Sequence, residues 1–220
     1  MVENKQSLFW ESMPGSLRNA VEQTVPADVL EKLYLSTKSK TLERKYEQLE
    51  HLLQDLVNQQ NQIKQPSTAD QAIPSQTTNN PHLSASFALA ILQMETKQYT
   101  EAEETYREIL AANPSSSRPD LAATSNLIDV LNVQHKYAEA QTTAMQVLPL
   151  LQNELGANSP QYLGCTRKLM ESLVGQDKGE EARKMYQRGM DLAATIRDDQ
   201  VKKEEIDAMQ EMGRKIDLLE

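Results

Sequence analysis

The residues best equipped for chemistry in this chain are few and dispersed. Its three histidines are His51, His82 and His135. No two stand four apart, the spacing that puts two imidazoles on one helical face, and none has a cysteine beside it. Neither metal ligation nor general-base catalysis therefore has a local constellation to build on. The sequence holds no HExxH pair, no glycine-rich phosphate loop and no GxSxG nucleophile turn. Each histidine reads as a surface residue. Cys165 is the single cysteine, which excludes an internal disulfide and a cysteine-based zinc site; on a helix it reads as inert packing. Glu101, Glu103, Glu104 and Glu108 read as the solvated face of an outer helix. No catalytic residue, metal ligand or cofactor emerges from this inventory.

What must position these groups is helical. The 220 residues hold 7 Gly, 2 Phe and 1 Trp, with hydrophobic residues at 39 % and charged residues at 25 %. Such a composition favours helices over strands. A mean hydropathy of -0.62 leaves no expected membrane span. The start, MVENKQSLFWES, lacks the basic then apolar pattern of a secretory signal, which predicts a cytoplasmic protein. Net charge is -9. An acidic chain of this kind argues against nucleic acid and against anionic lipid as partners.

Three segments follow from the pattern. Residues 1–64 form an N-terminal helical arm. Ser16 is placed to cap a short helix over Leu17–Thr24, and Leu8, Phe9 and Trp10 form an apolar cluster, either a lid on a neighbouring helix or a partner contact. From Pro26 to about Lys64 no Gly or Pro interrupts, and Leu35, Leu42, Leu49, Leu56 and Ile63 recur every seven residues. This predicts one long helix. Its stripe either folds back on the same chain or forms a coiled-coil seam, so a homodimer through the 27–64 helix is one expectation. Residues 65–81, rich in Pro, Ser, Thr, Asn and Gln, read as a polar linker. Residues 82–220 form a domain with helices expected over 83–96, 99–112, 119–134, 137–154, 159–175, 178–196 and 199–219. Ile206, Met209, Met212, Ile216 and Leu219 line one side of the last helix, which Asp198 or Asp199 caps.

That domain repeats itself. KQYTEAEETYREILAANP (97–114), HKYAEAQTTAMQVLPLL (135–151) and DKGEEARKMYQRGMDLA (177–193) share a polar turn and then Glu-Ala at a fixed offset. The aligned small residues are Ala102, Ala140 and Ala182. Tyr106, Ala144 and Tyr186 follow four later, and Ile109, Val147 and Gly189 three beyond that. Upstream, Leu89-Ala90, Leu127-Ile128 and Leu169-Met170 are equivalent. Pro114 closes the first repeat only, and Ser86, Thr124 and Thr166 stand where a tryptophan-like position falls. This pattern resembles the tetratricopeptide repeat (TPR). The spacings of 38 and 42 residues, with ELGANSP at 154–160, resemble the long repeats of kinesin light chain-like proteins, with Ser159 in place of a histidine. The resemblance implies an all-α, right-handed helical-repeat superhelix, with a long N-terminal helix and a C-terminal capping helix.

It also implies a concave groove lined by the first helix of each repeat. Phe87, Ala88, Ile91 and Met94 fall there in the first repeat, Ser125, Asn126, Asp129 and Asn132 in the second, and Arg167, Lys168 and Glu171 in the third. Asn126 matches a groove asparagine that clamps peptide backbone, for which a carboxamide is suited as both donor and acceptor. Arg167 either meets a partner carboxylate or pairs internally with Glu171 or Asp129. The expected function is a non-catalytic scaffold that binds a partner peptide or helix in this groove. The alternative is a cofactor-free enzyme or small-molecule binder. Its pocket would be enclosed by the repeats and the arm, with Phe9, Trp10, Phe87, Met94, Tyr162 and Met170 as its wall.

Overall fold

The computed structural model of the chain describes residues 9–37, 40–63, 81–112 and 120–218. Among them every regular element is an α-helix. The chain forms two compact units, Met1–Ala112 and Asn113–Glu220. Unit 1 contains α1 (Gly15–Thr24), α2 (Ala27–Thr37), α3 (Leu42–Ile63), α4 (Pro81–Glu95) and α5 (Tyr99–Ala111). Unit 2 contains α6 (Leu121–Val133), α7 (Tyr137–Leu155), α8 (Pro160–Val174), α9 (Gly179–Ala194) and α10 (Asp199–Asp217).

Within unit 2 each helix packs on the next, and α6 and α10 also meet α8. Within unit 1, α5, α3 and α1 all pack on α4. Ala102, Ala140 and Ala182 are fully buried, so the small residue of each repeat sits at a tight helix-helix contact. The apolar pairs Leu89-Ala90, Leu127-Ile128 and Leu169-Met170 are buried as well. Thr124 and Thr166 stand in the core because their hydroxyls donate to carbonyls one turn back, Asp120 O at 2.8 Å and Tyr162 O at 2.9 Å.

The turns inside the repeats share one geometry. Lys97, His135 and Asp177, each five residues before the buried alanine, have φ of 62°, 59° and 58°. The next residue reaches back in each case: Gln98 N to Gln93 O at 2.8 Å, Lys136 N to Leu131 O at 2.8 Å and Lys178 N to Leu173 O at 2.9 Å. A left-handed residue followed by this six-to-one bond is a Schellman ending, which satisfies carbonyls the helix leaves open. Starts are capped too. Asp120, Ser159 and Asp198 accept from the backbone N–H three residues on, and Pro160 opens α8. Asp198 thus caps α10 as its sequence indicates. Ser16 does not cap α1: the residue before that helix is Pro14, which offers no side-chain bond.

The uninterrupted helix expected from Pro26 to Lys64 is two helices. Ser36 Oγ and Thr37 Oγ1 both donate to Leu33 O, at 2.9 and 2.7 Å, and Lys40 N closes on Thr37 O at 3.0 Å. Hydroxyls that compete for backbone carbonyls favour chain ends over helix interiors. The heptad row is broken with it. Leu35 is 52 % and Leu42 37 % exposed, whereas Leu49 is fully buried. Leu49, Leu53 and Val57 instead join one core with Leu17 and Val21 of α1 and Ala85, Ala88, Leu89 and Leu92 of α4. The stripe of α3 therefore faces its own unit. Ile63 and Leu219, also placed on stripes, have side chains outside the described residues, as do Leu8, His82 and Pro114.

Candidate functional site

The eleven groove candidates divide between the units. In unit 1, α4 carries Phe87, Ile91 and Met94. Ile91 is buried in the core with Ala88, and Phe87 is half-buried, edge-on to Tyr106 with centroids 6.0 Å apart. Met94 is half-buried. The first repeat thus presents apolar residues that α1, α3 and α5 largely cover. Phe9 and Trp10 are core residues of the same unit. Their rings meet Tyr34 at 5.0 and 6.1 Å, and Trp10 Nε1 donates to Tyr34 Oη at 3.0 Å. They serve as a lid on neighbouring helices.

In unit 2 the candidates are polar and lie on one face built by α6, α8 and α10. Helical spacing dictates this: Ser125, Asp129 and Asn132 follow at four and three residues on α6, and Lys168, Glu171 and Ser172 at three and four on α8. Lys168 bridges the two helices. Its Nζ lies 2.7 Å from Asp129 Oδ2, 2.8 Å from Ser125 Oγ and 2.9 Å from Ser125 O. One ammonium offers three protons, so Lys168 is satisfied within the face. Asn132 is buried. Its Nδ2 donates to Lys168 O at 2.9 Å, and its Oδ1 accepts from Ser172 Oγ at 2.9 Å. A carboxamide held at both ends fixes the α6–α8 distance. Asn126 stands half-buried one turn before Asp129 and Val130.

The outer side of the face is closed by α10. Arg167 pairs with Glu205, and Glu171 with Lys215 at 4.0 Å. Arg167 thus takes an internal carboxylate, but neither of the two its sequence neighbourhood suggests. Glu205 escaped the sequence reading although a signal was there: it lies on the 205, 209, 212, 216 stripe of α10, where Met209, Met212 and Ile216 are buried. A charge on a buried stripe requires a cation opposite.

Burial raises the Asp129 carboxyl above its ordinary value of 3.8; Lys168 opposes that rise and Glu171 adds to it. Burial also pushes the Cys165 thiol up to about 12, with Lys168 working against the rise and Asp129 with it. Cys165 is fully buried on α8. It is a protonated packing group, not a nucleophile. Among the described residues no group of three His, Cys, Asp or Glu side chains could hold a metal ion. Tyr162 and Met170, named for an enclosed pocket, are buried packing residues of α8. What this face can do is hydrogen-bond and exchange ion pairs with a docked chain.

Solved structures share this fold. BtubC (BKLC) from P. vanneervenii is similar at 14 % identity and a TM-score of 0.62, over 99 % of this chain and 87 % of that one. A structure described as nearly identical TPR-like repeats of a kinesin light chain from Podosopora anserina is similar at 16 % identity and a TM-score of 0.58. The match covers 90 % of this chain and 97 % of that one. A point-substituted form of those repeats gives 88 % and 94 % at the same identity and score. No protein-family model and no curated protein matches the sequence. The fold is accordingly an all-α, TPR-like helical repeat, and no described helix is long and apolar enough to cross a membrane.

Proposed function

We propose that the chain is a non-catalytic interaction scaffold whose α6–α8–α10 face docks a peptide or helix of a protein partner. The observation that carries this reading is the contrast within the repeats. Ala140 and Ala182, at the helix-helix contacts, are sealed, while Asn126, Asp129, Arg167 and Lys168 stay half-buried and Glu171 exposed in one row. A partner segment laid along that row meets amide, carboxylate and cationic groups already held in place, which lowers the ordering cost of binding. Its own charges can exchange with the Glu171–Lys215 pair at little desolvation cost, because both members are exposed. The scaffold carries no catalytic assignment; Phe9, Trp10, Tyr162 and Met170 support packing rather than a substrate pocket. Among the described residues of the 27–64 segment, Leu35 and Leu42 are the exposed large apolar side chains a homodimer could use.

The test is affinity capture from source-cell extract with wild type and the Asn126→Ala/Glu171→Lys double variant in parallel. Both substitutions sit on the face and outside the core. The expected result is a protein recovered by wild type and lost by the variant, with identical melting of the two baits. Equal recovery by both baits would remove the face from the account.

A further inference from the structure

The ion pairs of the α6–α8–α10 face decide which sign of charge it turns outward. Its two central cations are engaged inside the fold: Arg167 pairs with Glu205, and Lys168 with Asp129. Both cations are half-buried. Each pair is neutral, and a docking chain takes neither cation without stranding a covered carboxylate. Lys202, at the foot of α10, has Asp199 at 3.9 Å.

What lies outside these pairs is mostly acidic, and α10 supplies most of it. Gly213 lies against the Tyr186 ring and Asp217 meets Arg183, both on α9, whereas Lys215 meets Glu171 on α8. The row that carries Lys215 therefore borders the docking face. Glu204, Ala208, Glu211 and Lys215 form it, and their spacing of four, three and four residues is that of one helical side. Glu204 and Glu211 are exposed. Glu204 accepts from the Gln200 carboxamide at 2.6 Å, a neutral partner, and Glu211 makes no ion pair among the described residues. The Glu171 side chain is 48 % exposed and meets Lys215 across 4.0 Å, a loose pair that another cation can replace. Glu171, Glu204 and Glu211 thus stand against the one ammonium of Lys215. The same face holds an apolar seat. Val133 follows Asn126 by seven residues and Asp129 by four on α6, so it shares their side, and it is 45 % exposed.

We propose that the segment docked on this face is basic: a partner peptide or helix bearing a pair of Lys or Arg side chains and an apolar residue near them. This rests on the docking role given above and names the class of its partner. The partner's cations take Glu171, Glu204 and Glu211, and its apolar residue covers Val133. Glu204 and Glu211 are seven residues apart, about 10 Å along the helix at about 1.5 Å per residue, which sets the spacing of the partner's cations. The chain's net charge of -9 adds long-range attraction for the same sign. An acidic ligand, which Arg167 alone suggests, finds that guanidinium already held by Glu205.

The test pans a random dodecapeptide phage library against the immobilised full chain. The expected result is enrichment of peptides with paired Lys or Arg. Synthetic copies of them bind the wild type saturably in fluorescence anisotropy, and Glu171→Lys/Glu211→Lys weakens them by about tenfold or more. Glu180→Lys/Glu181→Lys on α9 changes the net charge equally but lies off the face, and leaves binding within about twofold in physiological salt. Both variants melt as the wild type does, since all four residues are exposed. Equal loss in the two variants overturns the proposal, because bulk charge then explains the attraction. So does a library that enriches nothing. Enriched acidic peptides that bind the wild type but not Asn126→Ala overturn the basic class and leave the docking face standing. Peptides indifferent both to Asn126→Ala and to Glu171→Lys/Glu211→Lys overturn the face as well.

Discussion

Lys168 on α8 and Asp129 on α6 meet at 2.7 Å, and the same ammonium holds both oxygens of Ser125. The α6–α8 junction therefore rests more on the cation than on the carboxylate. Lys168→Met keeps the stem but strands three acceptors, and should cost about 2 kcal/mol. Asp129→Asn leaves Lys168 bonded to Ser125 and should cost less than about 1 kcal/mol at neutral pH. Denaturant melts of both variants check the order.

Asp129 also makes a pH prediction. In the fold its carboxyl keeps its proton to higher pH than the ordinary 3.8. Protonation thus favours the folded state. That contribution is complete below about pH 3.8 and fades as pH rises through the raised value. Asp129→Asn removes it. Wild-type stability relative to the variant should fall as pH rises across the acidic range, until the carboxyl is fully ionised. Paired melts over a pH series measure the difference.

The left-handed turn residues are a built-in weakness. Lys97 and Asp177 hold φ near 60° with a side chain attached. Lys97→Gly should stabilise unit 1 by roughly 1 kcal/mol, since a left-handed residue bearing Cβ costs about 1–2 kcal/mol. Asp177→Gly should gain less, because aspartate tolerates this region better. Lys97→Val should destabilise. Thermal melts decide all three.

The repeat register has its own test. Ala102, Ala140 and Ala182 are fully buried at helix-helix contacts. A glutamate at any of them buries a charge in a tight helix-helix contact, at a cost of several kcal/mol. Ala140→Glu and Ala182→Glu should unfold unit 2, while Met145→Glu, on the exposed side of α7, should not. Circular dichroism separates these outcomes.

Cys165 reports on the same unit. With its thiol pushed up to about 12 and no exposure, it should resist alkylation at mildly alkaline pH in the folded chain. Full labelling should follow only in denaturant. Rapid native labelling would contradict the packing of α8.

The helices and their faces were largely legible in the sequence because three repeats state one pattern three times. Glu-Ala after a polar turn marked Ala102, Ala140 and Ala182, and the shared Schellman turns follow from that same register. The break at Ser36–Thr37 was not legible from the absence of Gly and Pro, since hydroxyl competition ends a helix more weakly than either. The heptad row left two readings open, and in the structure α3 folds back on its own unit. Seven-residue recurrence fixes a face but not its occupant, and Leu49 with Leu53 and Val57 turned that face to α1 and α4. On the candidate face, residue types were readable but pairings were not. Arg167 had carboxylates near it in sequence, yet it met Glu205 from α10, thirty-eight residues on.

The most direct test of the docking face is site-specific photo-crosslinking in source cells. A photoreactive residue replaces Asn126 or Glu171 on the face, or Glu180 on α9 as a control. The account predicts one discrete protein adduct from Asn126 and Glu171 and none from Glu180. Adducts from Glu180 alone, or the same adducts from all three positions, would contradict it.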